Sequence, residues 1–132
     1  EGGFLRGNRI RVSDNGELKD SLLATGFPYH NFAEMQAYID VLTHFMQNTR
    51  GLRRMGSAAI DLAYTACGRF DAFFELNLSP WDIAAGILLV TEAGGRVSTF
   101  NGKESVVFEN QILASSTKLY PNMTKVLQSS FK

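Results

Sequence analysis

The sequence predicts a single α/β domain, a layered α-β-α sandwich in which helices cover both faces of a mostly buried mixed sheet. Short apolar runs typical of strands alternate along the chain with segments whose apolar residues recur at steps of three and four. In addition, 45% of the 132 residues are hydrophobic and 20% are charged, which is enough to build a substantial core. This alternation is typical of sheets enclosed between helical layers.

The charge balance and the single cysteine limit the classes of partner and compartment. Thirteen basic and thirteen acidic residues give a formal charge of zero, so no global field favours nucleic acid or an anionic membrane. We therefore expect a small-molecule partner, no membrane association and no direct nucleic-acid binding. Cys67 lies in an apolar helical stretch as a small buried residue and cannot form an internal disulfide, which fits a cytoplasmic location.

The individual elements follow from periodicity and from glycine, proline and serine signals. Runs with alternating or continuous apolar residues predict a hairpin and later strands: Phe4–Arg6 with Ile10–Ser13, then Ser21–Thr25, Gly51–Met55, Phe70–Leu76, Arg96–Phe100, Val106–Phe108 and Ile112–Ser115. Helical periodicity predicts four helices: one from Asn31 to near Gly51, one from Ser57 to Ala66, one from Pro80 to Ala93 and one from Leu119 to Phe131.

The helix that begins near Pro80 has a well-marked start. Ser79 suits the N-cap, Pro80 suits the first helical position, and Asp82 places a carboxylate at the positive end of the helix dipole. Gly94 and Gly95 end the helix. The pattern alone favours two roles for Asp82 equally, that of a helix cap and that of a metal ligand.

Three junctions between a strand and the following segment are candidates for a binding site, because ligands in open α/β sheets collect at strand ends and helix starts. They are Thr25-Gly26, Gly56-Ser57 and the segment from Glu75 to Asp82. Ser57 also opens a helix whose first amide groups can face an anion. Carboxylates beside such a helix start suit a divalent metal and a phosphate, whereas acyl transfer would need a nucleophile elbow that the sequence lacks.

Three segments of the sequence carry a resemblance to a known family: Leu52-Arg53-Arg54-Met55-Gly56-Ser57-Ala58-Ala59, Trp81-Asp82-Ile83-Ala84-Ala85-Gly86 and Thr91-Glu92-Ala93-Gly94-Gly95. They resemble the C-terminal half of the inositol monophosphatase family in its bacterial form. The resemblance spans essentially the whole chain. It implies the C-terminal half of the sugar-phosphatase fold and a Mg²⁺-dependent, lithium-sensitive phosphomonoesterase, usually a homodimer, in which metal-activated water attacks an inositol or sugar phosphate.

The resemblance also implies roles for particular residues. Asp82 matches a metal ligand, and Glu75 matches the glutamate that bonds hydroxyls of the substrate. The backbone of Gly56, Ser57 and Ala58 matches a wall of the substrate pocket, and Thr25 falls where a strand ends at that pocket. Arg53 and Arg54 fall near the contact region of the dimer, and Asp61 and Asp71 are interpreted as structural polar groups paired with arginines.

The family's Gly-Glu-Glu and Asp-Pro-x-Asp-Gly-Thr motifs, which supply most metal ligands and orient the attacking water, do not occur in these 132 residues. We therefore expect no catalytic residue in this half, a partner in the missing N-terminal half of the same protein, and no appreciable activity from the isolated chain.

Two alternatives remain open at the level of the sequence. The substrate could be another phosphate ester, such as 3′-phosphoadenosine 5′-phosphate, fructose 1,6-bisphosphate or histidinol phosphate. The chain could also be a non-catalytic binding or regulatory module, since some bacterial members of the family are associated with the transcription machinery.

Overall fold

A computed structural model describes residues 4–5, 8–26, 35–76, 78, 80–104 and 111–131. Its strands are β1 (Phe4–Leu5), β2 (Asn8–Arg9), β3 (Leu22–Thr25), β4 (Gly51–Arg53), β5 (Ala72–Leu76), β6 (Arg96–Ser98) and β7 (Gln111–Ser115). Its helices are α1 (Met35–Asn48), α2 (Ala58–Ala66), α3 (Pro80–Glu92) and α4 (Tyr120–Ser130), and a short 3₁₀ helix spans Leu18–Asp20.

Within the described residues, β3 to β7 form a five-stranded sheet in the order β4-β3-β5-β7-β6. Strand β3 pairs in parallel with both β4 and β5, while β7 pairs antiparallel with β5 and β6. The sheet is therefore mixed.

Helices pack on both faces of this sheet, as the alternating pattern predicts. On one face, α1 and α4 enclose a core that includes Tyr38, Phe45, Phe74, Leu113 and Met123. On the other face, α2 and α3 enclose a second core that includes Leu62, Phe73, Ile83, Val90 and Ile112. Successive residues of β5 alternate between the two cores because strand side chains point to opposite faces. The predicted α-β-α sandwich is confirmed.

One edge of the sheet gathers the strand ends that the sequence marks as candidates. Because β3, β4 and β5 are parallel, their carboxyl ends lie at the same edge, which we call the carboxyl edge. Helix α2 follows β4 and α3 follows β5 along the chain, so both helices begin at the carboxyl edge.

Helices α2 and α3 approach each other closely at Gly86. A Cβ on Gly86 would lie 2.6 Å from the Cβ of Leu62, so only glycine fits there without displacing a neighbour. The end of α3 agrees with the prediction, because Gly94 has a φ of +89° and the Gly95 N–H donates to the Val90 carbonyl over 2.9 Å.

The N-terminal hairpin is present, but its second strand is earlier than predicted. Strand β1 pairs with β2 at Phe4↔Arg9 and Leu5↔Asn8, whereas the sequence places the second strand at Ile10–Ser13. Ile10 and Val12 instead pack against the core beneath α2 and α3, and the Val12 N–H donates to the Ala93 carbonyl. The apolar alternation at these positions therefore reflects docking onto the domain.

Three polar or charged positions differ from expectation. Asp71 accepts hydrogen bonds from the Ser13 hydroxyl and the Leu22 N–H, the latter over 2.7 Å, so its partners among the described residues are a serine and a backbone amide, not arginines. Asp61 is 1% exposed, and its Oδ1 has no hydrogen-bond partner in the described part of the chain. Cys67 is half-buried, not fully buried.

Several predictions lie outside the described residues, namely the Ser79 cap, the start of the first helix at residues 31–34 and the strand Val106–Phe108. Among the helices that the structure describes, we find none with the length and apolar character needed to span a membrane.

Candidate functional site

Thr25 joins three elements at the carboxyl edge. It is the last residue of β3 and is 3% exposed. Its hydroxyl donates to the Phe74 carbonyl of β5 over 2.8 Å and lies 2.8 Å from the Tyr38 hydroxyl of α1. Thr25 therefore fixes the end of β3 to its neighbouring strand and to the helix below, and its own hydroxyl does not face solvent.

Glu75 lies one residue beyond Phe74 and is half-buried. Its carboxylate sits against the Cα of Gly26, where a Cβ would fall 2.2 Å from Oε1 and 2.8 Å from Oε2. Strand alternation directs Glu75 to the face that carries α2 and α3, because Phe74 on one side and Leu76 on the other belong to the opposite core. The carboxylate thus lies at the carboxyl edge, on the face where α2 and α3 begin.

Tyr38 is 1% exposed, and its ring packs in the core beneath α1 and α4. Its hydroxyl donates to the Gly26 carbonyl and also contacts Thr25 Oγ1. Burial raises the pKa of Tyr38 to about 12, the bond to Thr25 opposes that rise, and the negative charge of Glu75 adds to it. The phenol is therefore protonated, and able to donate, across the whole neutral range.

The start of α2 has the cap that the sequence predicts. The Ser57 side chain accepts a hydrogen bond from the Ile60 N–H over 3.4 Å, and Gly56 before it has a φ of +83°. Ala58 opens the helix and packs against the core that α2 shares with α3. The first amide groups of α2 therefore project from the helix at the carboxyl edge.

Asp82 lies in the first turn of α3, and α3 begins at Pro80 as predicted. The side chain of Asp82 lies outside the described part of the structure. Its role as a metal ligand stays a prediction.

The structure brings Thr25 and Glu75 into one cluster through Gly26 and Phe74. It places Gly56, Ser57, Ala58 and the Asp82 backbone at the same edge, through the starts of α2 and α3. Among the described residues, His, Cys, Asp and Glu side chains form no group of three or more that could hold a metal ion. A Mg²⁺ ion binds through several oxygens and keeps waters, so the one carboxylate described at this edge, Glu75, could not hold such an ion alone.

Sequence reasoning missed Tyr38, which is interpreted only as an apolar position of an amphipathic helix. It names Gly26 in the Thr25-Gly26 junction, but it does not predict that Gly26 lies against the Glu75 carboxylate. A signal for Tyr38 did exist, because a buried tyrosine hydroxyl nearly always has a hydrogen-bond partner.

The sequence profile of the inositol monophosphatase family matches residues 1–131. The chain belongs to this family. Nus factor SuhB of Pseudomonas aeruginosa strain PAO1 is 43% identical over 129 residues, an alignment that covers 96% of this chain and 48% of that protein.

Solved structures agree with the family assignment. The extragenic suppressor protein suhB from Bartonella henselae superposes with a TM-score of 0.92 at 38% identity, covering 99% of this chain and 50% of that one. An inositol monophosphatase from Anabaena gives a TM-score of 0.89 at 38% identity, covering 98% of this chain and 52% of that one. This chain thus spans about half the length of the relatives that it matches.

Proposed function

We propose that this chain forms part of a Mg²⁺-dependent phosphomonoesterase that hydrolyses inositol monophosphate or a related sugar phosphate. The observation that carries the proposal is the Glu75 carboxylate, half-buried against Gly26 at the edge where α2 and α3 begin. Membership of the inositol monophosphatase family supports it.

Glu75 accepts hydrogen bonds from hydroxyl groups of the polyol in this proposal. A carboxylate can accept from two neighbouring hydroxyls at once, and such charge-assisted bonds are stronger than neutral ones. Because Gly26 has no side chain, the carboxylate keeps its place at the end of β5. Thr25 supports the pocket from below, since its hydroxyl is already bonded within the fold.

The backbone of Gly56, Ser57 and Ala58 lines the pocket next to Glu75. The start of α2 carries outward N–H groups and the positive end of a helix dipole, both of which favour a negatively charged ester. Ser57 itself acts as the helix cap and contributes its backbone, not its hydroxyl, to the pocket.

Asp82 supplies one carboxylate ligand to the metal from the first turn of α3. Magnesium bound there would act as a Lewis acid on the phosphate and would lower the pKa of a bound water. In this proposal, the other metal ligands and the group that orients the water belong to the remaining half of the protein. We also propose that the protein is a cytoplasmic homodimer and that lithium inhibits it.

The test is phosphate release from myo-inositol 1-phosphate by the full-length protein and by its Asp82→Asn variant, with and without Mg²⁺. Asparagine keeps a side-chain oxygen that can accept a hydrogen bond in the first turn of the helix, but without the charge it is a much poorer ligand for a hard cation. We expect Mg²⁺-dependent turnover that the Asp82→Asn change abolishes, whereas Asp40→Asn, on the exposed side of α1, leaves it intact.

Assays of the other phosphate esters define the substrate. An assay of the 132-residue chain alone tests whether the active site needs residues from the rest of the protein. Turnover of 3′-phosphoadenosine 5′-phosphate, fructose 1,6-bisphosphate or histidinol phosphate in preference to inositol monophosphate would replace the proposed substrate. Turnover by the 132-residue chain at the rate of the full-length protein would contradict the shared site.

A second candidate is a non-catalytic role in transcription, favoured by the 43% identical relative that is named a Nus factor. The formal charge of zero favours contact with protein over contact with RNA. Calorimetry with Mg²⁺ and inositol monophosphate separates the two candidates, because a purely regulatory protein binds neither even at full length.

A further inference from the structure

We infer that Tyr38 is a positioning residue that sets the place of the Glu75 carboxylate through the backbone of Gly26. The inference rests on the proposed role of Glu75 in binding substrate hydroxyls. Tyr38 lies on α1, on the opposite face of the sheet from the Glu75 side chain, so its effect is transmitted through the end of β3.

The contact network has three steps. The Tyr38 hydroxyl donates to the Gly26 carbonyl, which anchors the residue directly after β3 to α1. Thr25 Oγ1 lies 2.8 Å from the same hydroxyl and 2.8 Å from the Phe74 carbonyl. The Cα of Gly26, held in this way, is the surface against which the Glu75 carboxylate lies.

Two hydroxyl protons serve the contacts in this network. Thr25 and Tyr38 each carry one proton, whereas the carbonyls of Phe74 and Gly26 can only accept. Removing the Tyr38 hydroxyl therefore leaves the Gly26 carbonyl without its phenol donor and Thr25 without its phenol neighbour. The end of β3 then gains freedom at the point where it supports Glu75.

The geometry makes the effect specific to substrates with hydroxyl groups. A phosphate ester without hydroxyls gains nothing from Glu75, so displacement of that carboxylate leaves its binding unaffected. A polyol phosphate loses part of a charge-assisted hydrogen bond. We expect the loss of this bond to raise KM and to leave kcat unchanged, because Glu75 contacts the polyol both in the bound substrate and in the transition state.

The experiment compares Tyr38→Phe with wild type in the full-length protein on myo-inositol 1-phosphate and on 4-nitrophenyl phosphate. The matched control is Tyr120→Phe, a buried tyrosine whose hydroxyl lies 2.6 Å from Ser98 Oγ. We expect Tyr38→Phe to raise KM for the inositol ester about five-fold, the equivalent of one net hydrogen bond. We expect its kcat, and both constants for the aryl ester, to stay at the wild-type level.

The inference fails if Tyr38→Phe changes KM equally for both esters, changes neither, or behaves like Tyr120→Phe. Thr25→Val, which removes the other hydroxyl of the network, should give the same selective rise in KM and serves if Tyr38→Phe does not fold.

A crystal structure of Tyr38→Phe provides a readout that does not depend on activity. We expect the Glu75 carboxylate to leave its place over the Gly26 Cα, and an unmoved carboxylate contradicts the inference. If wild type hydrolyses neither ester, the proposed function fails, and this structural comparison still decides the role of Tyr38.

Discussion

The carboxylate of Glu75 occupies the space that a side chain on Gly26 would need, with Oε1 only 2.2 Å from the position of a Cβ. Gly26 directly follows β3, and Glu75 lies in the neighbouring parallel strand β5, each one residue beyond the pair Thr25↔Phe74. Because Gly26 has no side chain, the Glu75 carboxylate can lie in this space.

Replacing Gly26 by alanine should displace the Glu75 carboxylate at little cost in stability. The atoms that the new methyl group meets are at the flexible end of a glutamate side chain, which can rotate away. We expect the free energy of unfolding to change by less than about 1 kcal/mol. In the full-length protein, we expect KM for a polyol phosphate to rise several-fold. Urea unfolding and steady-state kinetics measure the two effects.

Glu75→Ala provides the control for this substitution. If Gly26→Ala acts through Glu75, the double variant should have the same KM as Glu75→Ala alone, because the two residues are coupled. Additive effects on KM would show that Gly26 acts in another way.

Gly86 presents the opposite case, because a Cβ there would meet the Cβ of Leu62 at 2.6 Å and its Cδ1 at 2.5 Å. Leu62 is fully buried, and its Cβ cannot move unless α2 moves. Overpacking of this kind costs about 1–3 kcal/mol. Against this, alanine favours a helix over glycine by about 1 kcal/mol. We therefore expect Gly86→Ala to lower the free energy of unfolding in urea.

A matched variant on the same helix isolates the contribution of helix propensity. Ala85 is exposed on α3, so Ala85→Gly reports the propensity difference without a packing change. The two substitutions run in opposite directions, so adding the destabilisation caused by Ala85→Gly to that caused by Gly86→Ala gives the packing cost. A Gly86→Ala protein more stable than wild type would mean that α2 and α3 are not held as close as the structure places them.

The order of strands and helices could be predicted from the sequence because apolar periodicity depends on neighbours in the chain. The edge that carries Thr25, Glu75 and the start of α2 could also be predicted, since parallel strands end on one side. The contact between Tyr38 and Gly26 could not be predicted from the sequence. The periodicity of α1 places Tyr38 in the core, but which group its hydroxyl contacts depends on how α1 packs against β3.

The alternating residues Ile10 and Val12 show a second limit of the sequence. Their pattern fits a hairpin strand and fits equally a segment that docks on a core, as it does here. Alternation of apolar and polar residues predicts which side chains are buried. It does not predict which element buries them, because that depends on the tertiary fold.

Asp61 should make the stability of the protein fall with rising pH. Its carboxyl is 1% exposed, and burial raises its pKa from 3.8 to about 6. The folded state therefore binds this proton more tightly than the unfolded chain does. The stability that the protonated group contributes is fully present below pH 3.8, declines as the pH rises toward 6, and is lost above that value.

Asp61→Asn should remove this pH dependence, because asparagine keeps the shape of the side chain without a titrating proton. At about 1.4 kcal/mol for each unit of pKa difference, the stability gained by the variant over wild type should grow by about 2 kcal/mol between pH 4 and 6 and become constant by about pH 7.5. Urea unfolding at pH 4, 5, 6 and 7.5 measures the difference, with the exposed Asp40→Asn as the control. A difference that does not change with pH would mean that Asp61 is ionised in the folded protein. Its buried Oδ1, which has no hydrogen-bond partner in the described part of the chain, would then need a cation or a donor from the rest of the protein.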